Sequence, residues 1–167
     1  MKPADIEEII RHTANRLGID VHRYRPTETL PGLLTVMLAH HDVNLLLDVG
    51  ANTGQFAKAV RNAGYRGRIV SFEPLVSAHT QLLQDSNRDT NWFVADRAAI
   101  GAEQGEVEIN IAANSFSSSV LDTLPNHEKA APDSSPIGIE KAALSQLDVA
   151  AKGYVLESDV IFCKIDT

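Results

Sequence analysis

The chain has 167 residues, enough for one domain with a real core, because a chain of this size hides about two-thirds of its unfolded surface. With 44% hydrophobic and 22% charged residues it has the make-up of a folded globular protein and not of a disordered one. A net charge of −7 without clustered Lys and Arg argues against a nucleic-acid or anionic-membrane surface, and a small neutral or cationic ligand suits it better.

The first residues, Met1 to Glu8, are acidic where a signal peptide is basic and then apolar, and nowhere do ~18 uninterrupted apolar residues occur. The expectation is a chain that neither spans nor enters a membrane. Ile6, Ile9, Ile10, Ala14 and Leu17 fall at helical spacing over 5–17, with Gly18 as a stop. A second helix is predicted over 29–40 from Leu30, Leu33, Leu34, Met37 and Leu38, entered through Thr27 and Thr29. Residues 1–43 thus read as a helical extension that packs on a sheet or closes over a ligand.

From residue 44 short apolar runs alternate with helices, the pattern of a parallel sheet buried on both faces. Strands are predicted at Asn44–Val49, Gly67–Phe72 and Trp92–Ala95, with helices at Gln55–Ala63 and Pro74–Gln84, the latter started by Pro74. Val107, Ile109 and Ile111 then alternate with polar residues as a half-exposed strand. Asn114 to Pro136 holds six Ser and three Pro and reads as a loop or lid. A short strand over Ile137–Ala143, a helical turn over Ser145–Ala151 and a buried apolar strand over Asp159–Ile165 follow. The single Cys163 lies in that last run and reads as a buried thiol, which favours a reducing cytoplasm. Because a doubly buried strand expects neighbours on both sides, residues 44–167 look like the front portion of a larger domain, ending after the fourth core strand.

Open parallel sheets bind ligands beyond the carboxyl ends of their strands, so the residues just after each strand carry the chemistry. After the first strand comes Asp48-Val49-Gly50-Ala51-Asn52-Thr53-Gly54, in which Gly50 and Gly54 permit a tight turn and close backbone approach before a helix N-terminus. A dinucleotide loop reads G-x-G-x-x-G; here the spacing is G-x-x-x-G, and Asp48 two residues ahead would repel a pyrophosphate. A carboxylate there suits the ammonium of an amino-acid moiety, which S-adenosylmethionine presents and NAD does not. The plainer alternative is that Asp48 bonds loop amides, and Asn52 serves either the cofactor or turn geometry alone.

Glu73 ends the second strand 25 residues after Asp48, where an acid accepts hydrogen bonds from a ribose diol in related sheets; alternatively it favours the dipole of the next helix. Asp96 after the third strand is a candidate for the adenine amino group, or else one half of a surface pair with Arg97. Asp166, after the last strand, is the candidate general base for an attacking hydroxyl, or an anchor for the cofactor. His12, His22, His40, His41, His79 and His127 show no metal-ligand spacing, and no metal is expected.

With these residues in view, the chain resembles the FkbM family of S-adenosylmethionine-dependent methyltransferases. The resemblance runs from about Asn44 onward and is carried by Leu47 to Gly54, Ser71-Phe72-Glu73-Pro74, Asn114 to Ser119 and Lys164-Ile165-Asp166-Thr167. It implies a Rossmann-like class I methyltransferase sheet, mostly parallel with helices on both faces. It also implies S-adenosylmethionine as cofactor and O-methylation of a sugar, glycolipid or polyketide-type hydroxyl. The competing expectations are a catalytically silent binding or interaction module, self-associating through the open sheet edge, and a nucleotide-dependent oxidoreductase, against which the loop spacing and Asp48 argue.

Overall fold

The computed structural model describes residues 3–21, 29–112 and 136–166. Two helices come first, α1 (Pro3–Arg16) and α2 (Leu30–His40), followed by β1 (Leu45–Val49), α3 (Gln55–Asn62), β2 (Arg68–Phe72), α4 (Val76–Ser86) and β3 (Trp92–Val94). Then come β4 (Ala98–Ile100), β5 (Gly105–Ala112), β6 (Pro136–Ser145), the short helix α5 (Leu147–Ala150) and β7 (Ile161–Ile165). The Ser-rich stretch read as a lid, together with Thr27, His22 and His127, lies outside the described residues.

Strands β3-β2-β1-β7 form one parallel sheet, in that order. Its strands alternate about the sheet plane, so β1 sends Leu46 to one face and Leu45, Leu47 and Val49 to the other. On the first face Leu46 and Ile69 pack with Leu38 of α2, Ala57 and Val60 of α3, Leu82 of α4 and Trp92. On the second, Leu45, Leu47, Val49, Val70 and Phe72 meet Ala95 and Ala151, with Leu147 and Ala150 of α5 against them. Helices on both faces of a mostly parallel sheet make this a Rossmann-like α/β fold. No helix among the described residues is long and apolar enough to cross a membrane.

Helix α2 begins as its sequence predicts, with Thr29 accepting from the Gly32 amide. Its Leu38 enters the core, whereas Ile6, Ile9 and Ile10 of α1 are exposed. A second sheet, β4-β6-β5, stands beside the first and joins it through an apolar cluster of Leu75, Ala78, Ala99, Ile109 and Ala142.

The structure corrects several sequence expectations. The last strand is not buried on both sides: β7 pairs with β1 alone among the described residues, and Ile161 and Ile165 are exposed. Cys163 is exposed for the same reason, because no element among the described residues covers that part of the strand. Pro74 does not start α4; Leu75 stays extended as the N-cap and the helix begins at Val76. Ala98–Ile100, where no element is predicted from the sequence, is strand β4.

Candidate functional site

Val49 pairs with Phe72 on one side and with Ile165 on the other, so the neighbouring parallel strands end level. Gly50, Glu73 and Asp166, the next residues of β1, β2 and β7, therefore share one sheet edge, and Asp96 follows β3 on the same edge. The order reverses at β1, with β2 and β3 to one side and β7 to the other, and a parallel sheet opens a crevice at such a point.

The glycine loop is shaped by its neighbours. Gly50 has φ +70, and a Cβ there would fall 1.8 Å from the backbone carbonyl oxygen of Asp166. Gly54 has φ +80, and its Cβ would stand 2.7 Å from the Trp92 ring. The turn is tied to β2 by the Gly50 and Ala51 amides, which donate to the Phe72 carbonyl at 3.1 and 3.0 Å. Asn52 takes φ 50, a left-handed conformation that Asn tolerates.

Asp48 is fully buried, and its register partner across β1 and β7 is Lys164. The two side chains emerge on the same face, and Lys164 Nζ lies 3.2 Å from Asp48 Oδ1. The same ammonium donates to the carbonyls of Gly50 at 3.0 Å and Val49 at 3.3 Å, and stands 5.8 Å from the Phe56 ring centroid. Asp166 Oδ2 is 3.6 Å away, with its side chain 81% exposed. The ammonium facing Asp48 is thus the chain's own. Asp48 does not bond the loop amides, and its Oδ2 has no hydrogen-bond donor among the described residues.

Glu73 is buried and does two things at once. Its Oε2 accepts from the Asn52 amide of the glycine loop at 2.7 Å, and its Oε1 from the Leu75 amide at 3.0 Å, just ahead of α4. Burial raises its pKa while the Leu75 and Asn52 amides oppose the rise. Asp96 is exposed, and Arg97 turns from it to form an ion pair with Glu140 at 3.0 Å. Among the described residues no group of three His, Cys, Asp or Glu is arranged for a metal ion.

A glycine turn backed by two carboxylates thus stands at the sheet's switch point, and sequence comparison adds the family. The family model of the methyltransferase FkbM domain matches residues 48–167, from Asp48 of the loop through the Lys164 and Asp166 segment. The chain belongs to the FkbM methyltransferase family. No curated protein matches it. A crystal structure of a Staphylococcus aureus protein described as a caffeoyl-CoA O-methyltransferase superposes with a TM-score of 0.34 at 13% identity, over 52% of this chain and 41% of that one.

In the sequence of this FkbM domain Lys164 belongs to a segment that carries the family resemblance, but its role in the site is not legible there. Lys164 is the single charge in β7, as Asp48 is in β1, and that symmetry was open to inspection. What pairs the two is strand register, which no local pattern reveals.

The ion pair sits where ionisation is costly. Burial pushes the Asp48 carboxyl up to about 6, with Lys164 opposing the rise. A carboxyl raised in the folded state holds its proton more tightly folded than unfolded, so it costs the fold nothing below its unfolded value of 3.8. The cost grows as pH climbs from there through about 6 and then levels at on the order of 3 kcal/mol. Asp48→Asn removes this dependence. The melting temperature of the wild type should fall relative to that of the variant between pH 4 and pH 7, roughly the span over which Asp48 titrates; a constant difference would refute the assignment.

Proposed function

We propose that this FkbM methyltransferase uses S-adenosylmethionine to methylate a hydroxyl of a sugar, glycolipid or polyketide-type metabolite. The observation that carries the reading is the Glu73 carboxylate spanning from the end of β2 to the Asn52 amide, which makes the glycine loop and the acid after β2 one unit. The residues fit the cofactor. Gly50 and Gly54 leave the backbone bare, and a carboxylate with two oxygens retains acceptor capacity beyond one bond each, so Glu73 can take a ribose diol as well. Asp48, Lys164 and Asp166 together carry one net negative charge when ionised, which still favours a cationic amino-acid end over a phosphate.

In this reading Asp48 acts through Lys164, holding the loop, while the open carboxylate of Asp166 faces the crevice. When bound, the cofactor supplies an activated methyl group on a sulfonium. The protein aligns the acceptor and excludes water. Asp166 takes the proton of the acceptor hydroxyl as it attacks, and Asp96 borders the adenine end. In the same reading residues 1–43 are a helical extension to the cofactor domain at 44–167, and a chain with a single cysteine suits a reducing cytoplasm.

Titration calorimetry with S-adenosylmethionine, S-adenosylhomocysteine and NAD tests this directly. Saturable binding of the sulfonium S-adenosylmethionine and the thioether S-adenosylhomocysteine is expected, with Glu73→Ala weakening both by roughly tenfold, the scale of one lost hydrogen bond to a charged group. Binding of NAD without either of them would remove the proposal.

A further inference from the structure

The turn that carries Glu73 is held from outside the parallel β3-β2-β1-β7 sheet. Arg97, between β3 and β4, donates through Nη1 to the Pro74 carbonyl at 2.7 Å and to Glu140 Oε1 at 3.0 Å, with the Lys141 carbonyl at 3.3 Å. Glu140, on β6, accepts in turn from the amide of Val76, the first residue of α4, at 2.8 Å. Helix α4 has no side-chain cap from its N-cap residue Leu75. Its leading amides are satisfied by Glu73 at Leu75 and by Glu140 at Val76, and two carboxylates at that end also suit the helix dipole.

Consecutive backbone positions after Glu73 are thereby fixed: the Pro74 carbonyl by Arg97, the Leu75 amide by Glu73 itself, and the Val76 amide by Glu140. The second sheet is pressed to the same place by Leu75, Ala78 and Ile109. Arg97 and Glu140 are 33% and 22% exposed, so the pair is partly withdrawn from water and less screened than a surface pair.

We propose that Arg97 and Glu140 are positioning residues for cofactor binding, acting through the Pro74–Val76 backbone to aim the Glu73 carboxylate. This rests on the reading of Glu73 as a cofactor residue given above. The arrangement makes the β4-β6-β5 sheet part of the cofactor site's support without contact to the ligand.

The test is calorimetric titration with S-adenosylhomocysteine of the wild type, Arg97→Ala, Glu140→Ala, Glu140→Gln, Glu73→Ala and the Arg97→Ala/Glu73→Ala double variant. Arg97→Ala and Glu140→Ala should each weaken binding about tenfold. Glu140→Gln, which keeps an acceptor for both the Val76 amide and Arg97, should stay within about twofold of wild type. Because Arg97 acts through Glu73, adding Arg97→Ala to Glu73→Ala should change affinity by less than about twofold; a merely structural contact would cost the same factor in either background. Should Arg97→Ala fail to fold, Arg97→Gln, which retains a donor for the Pro74 carbonyl, should bind like wild type while Glu140→Ala does not. Additive losses, or wild-type affinity in Arg97→Ala, would overturn the positioning assignment and leave the cofactor reading intact. A wild-type protein that binds no S-adenosylhomocysteine would overturn both.

Discussion

Gly50→Ala is expected to lower stability by at least about 3 kcal/mol and to abolish binding of S-adenosylhomocysteine. Two costs combine there. The position has φ +70, which an L-residue adopts only under strain, and the added Cβ would overlap the Asp166 carbonyl oxygen, 1.8 Å away. The obstacle is backbone, so no side-chain rotation relieves it: either the turn opens or the end of β7 is pushed off β1. Gly64 provides the control, since it too has positive φ, at +110, but nothing lies within 4 Å of its Cβ position. Gly64→Ala should therefore show the conformational cost alone, about 1–3 kcal/mol, with cofactor affinity retained. Urea unfolding followed by calorimetry separates the two variants. Equal losses in both would mean that the contact between the loop and β7 contributes nothing.

Lys164→Met should have the next largest effect. The substitution keeps most of the side chain's length but leaves the fully buried Asp48 without a cation and removes a donor from the Gly50 carbonyl and one of two donors from the Val49 carbonyl, which still accepts from the Asp166 amide. Breaking a buried pair from one side typically costs about 3–5 kcal/mol, which for a domain of this size is on the order of 10 °C in melting temperature. Asp48 would then be driven toward its neutral form, since the opposing charge is gone. Combining Lys164→Met with Asp48→Asn removes both charges and should recover most of the loss, because an apolar or neutral replacement of a buried pair is often tolerated. A single variant as stable as the wild type, or a double variant no better than Lys164→Met alone, would show that the pair does not hold the loop.

The parts of this fold that rest on local pattern were readable from the amino-acid string. Leu45 to Val49 and Arg68 to Phe72 are apolar runs of strand length, and both are strands with their sides reversed every residue, as the two packing clusters require. Asp48 and Glu73 stood out as carboxylates at the ends of such runs. The stretch ending at Ile165 has the same texture, yet its composition says nothing about how many neighbours it has; among the described residues β7 pairs with β1 alone, and Cys163 is exposed. Strand β4 is three residues long and two of them are alanine, so it lacks the large apolar and aromatic side chains that mark the equally short β3. The ties that set the site's geometry, Asp48 with Lys164 and Arg97 with Glu140, join positions distant in sequence through register and docking. They become visible only in three dimensions. The periodicity of Ile6, Ile9 and Ile10 correctly predicts a helix in α1 but carries no information about what covers it.

The chain contains one tryptophan, and its indole is the wall against which Gly54 rests, with Nε1–H donating to the Ser71 hydroxyl at 3.0 Å. Any shift of the turn that alters this packing or that hydrogen bond changes the surroundings of the chain's only indole chromophore. Emission excited at the red edge of the protein band is therefore a single-site signal from the glycine loop, one that needs neither a label nor an engineered probe.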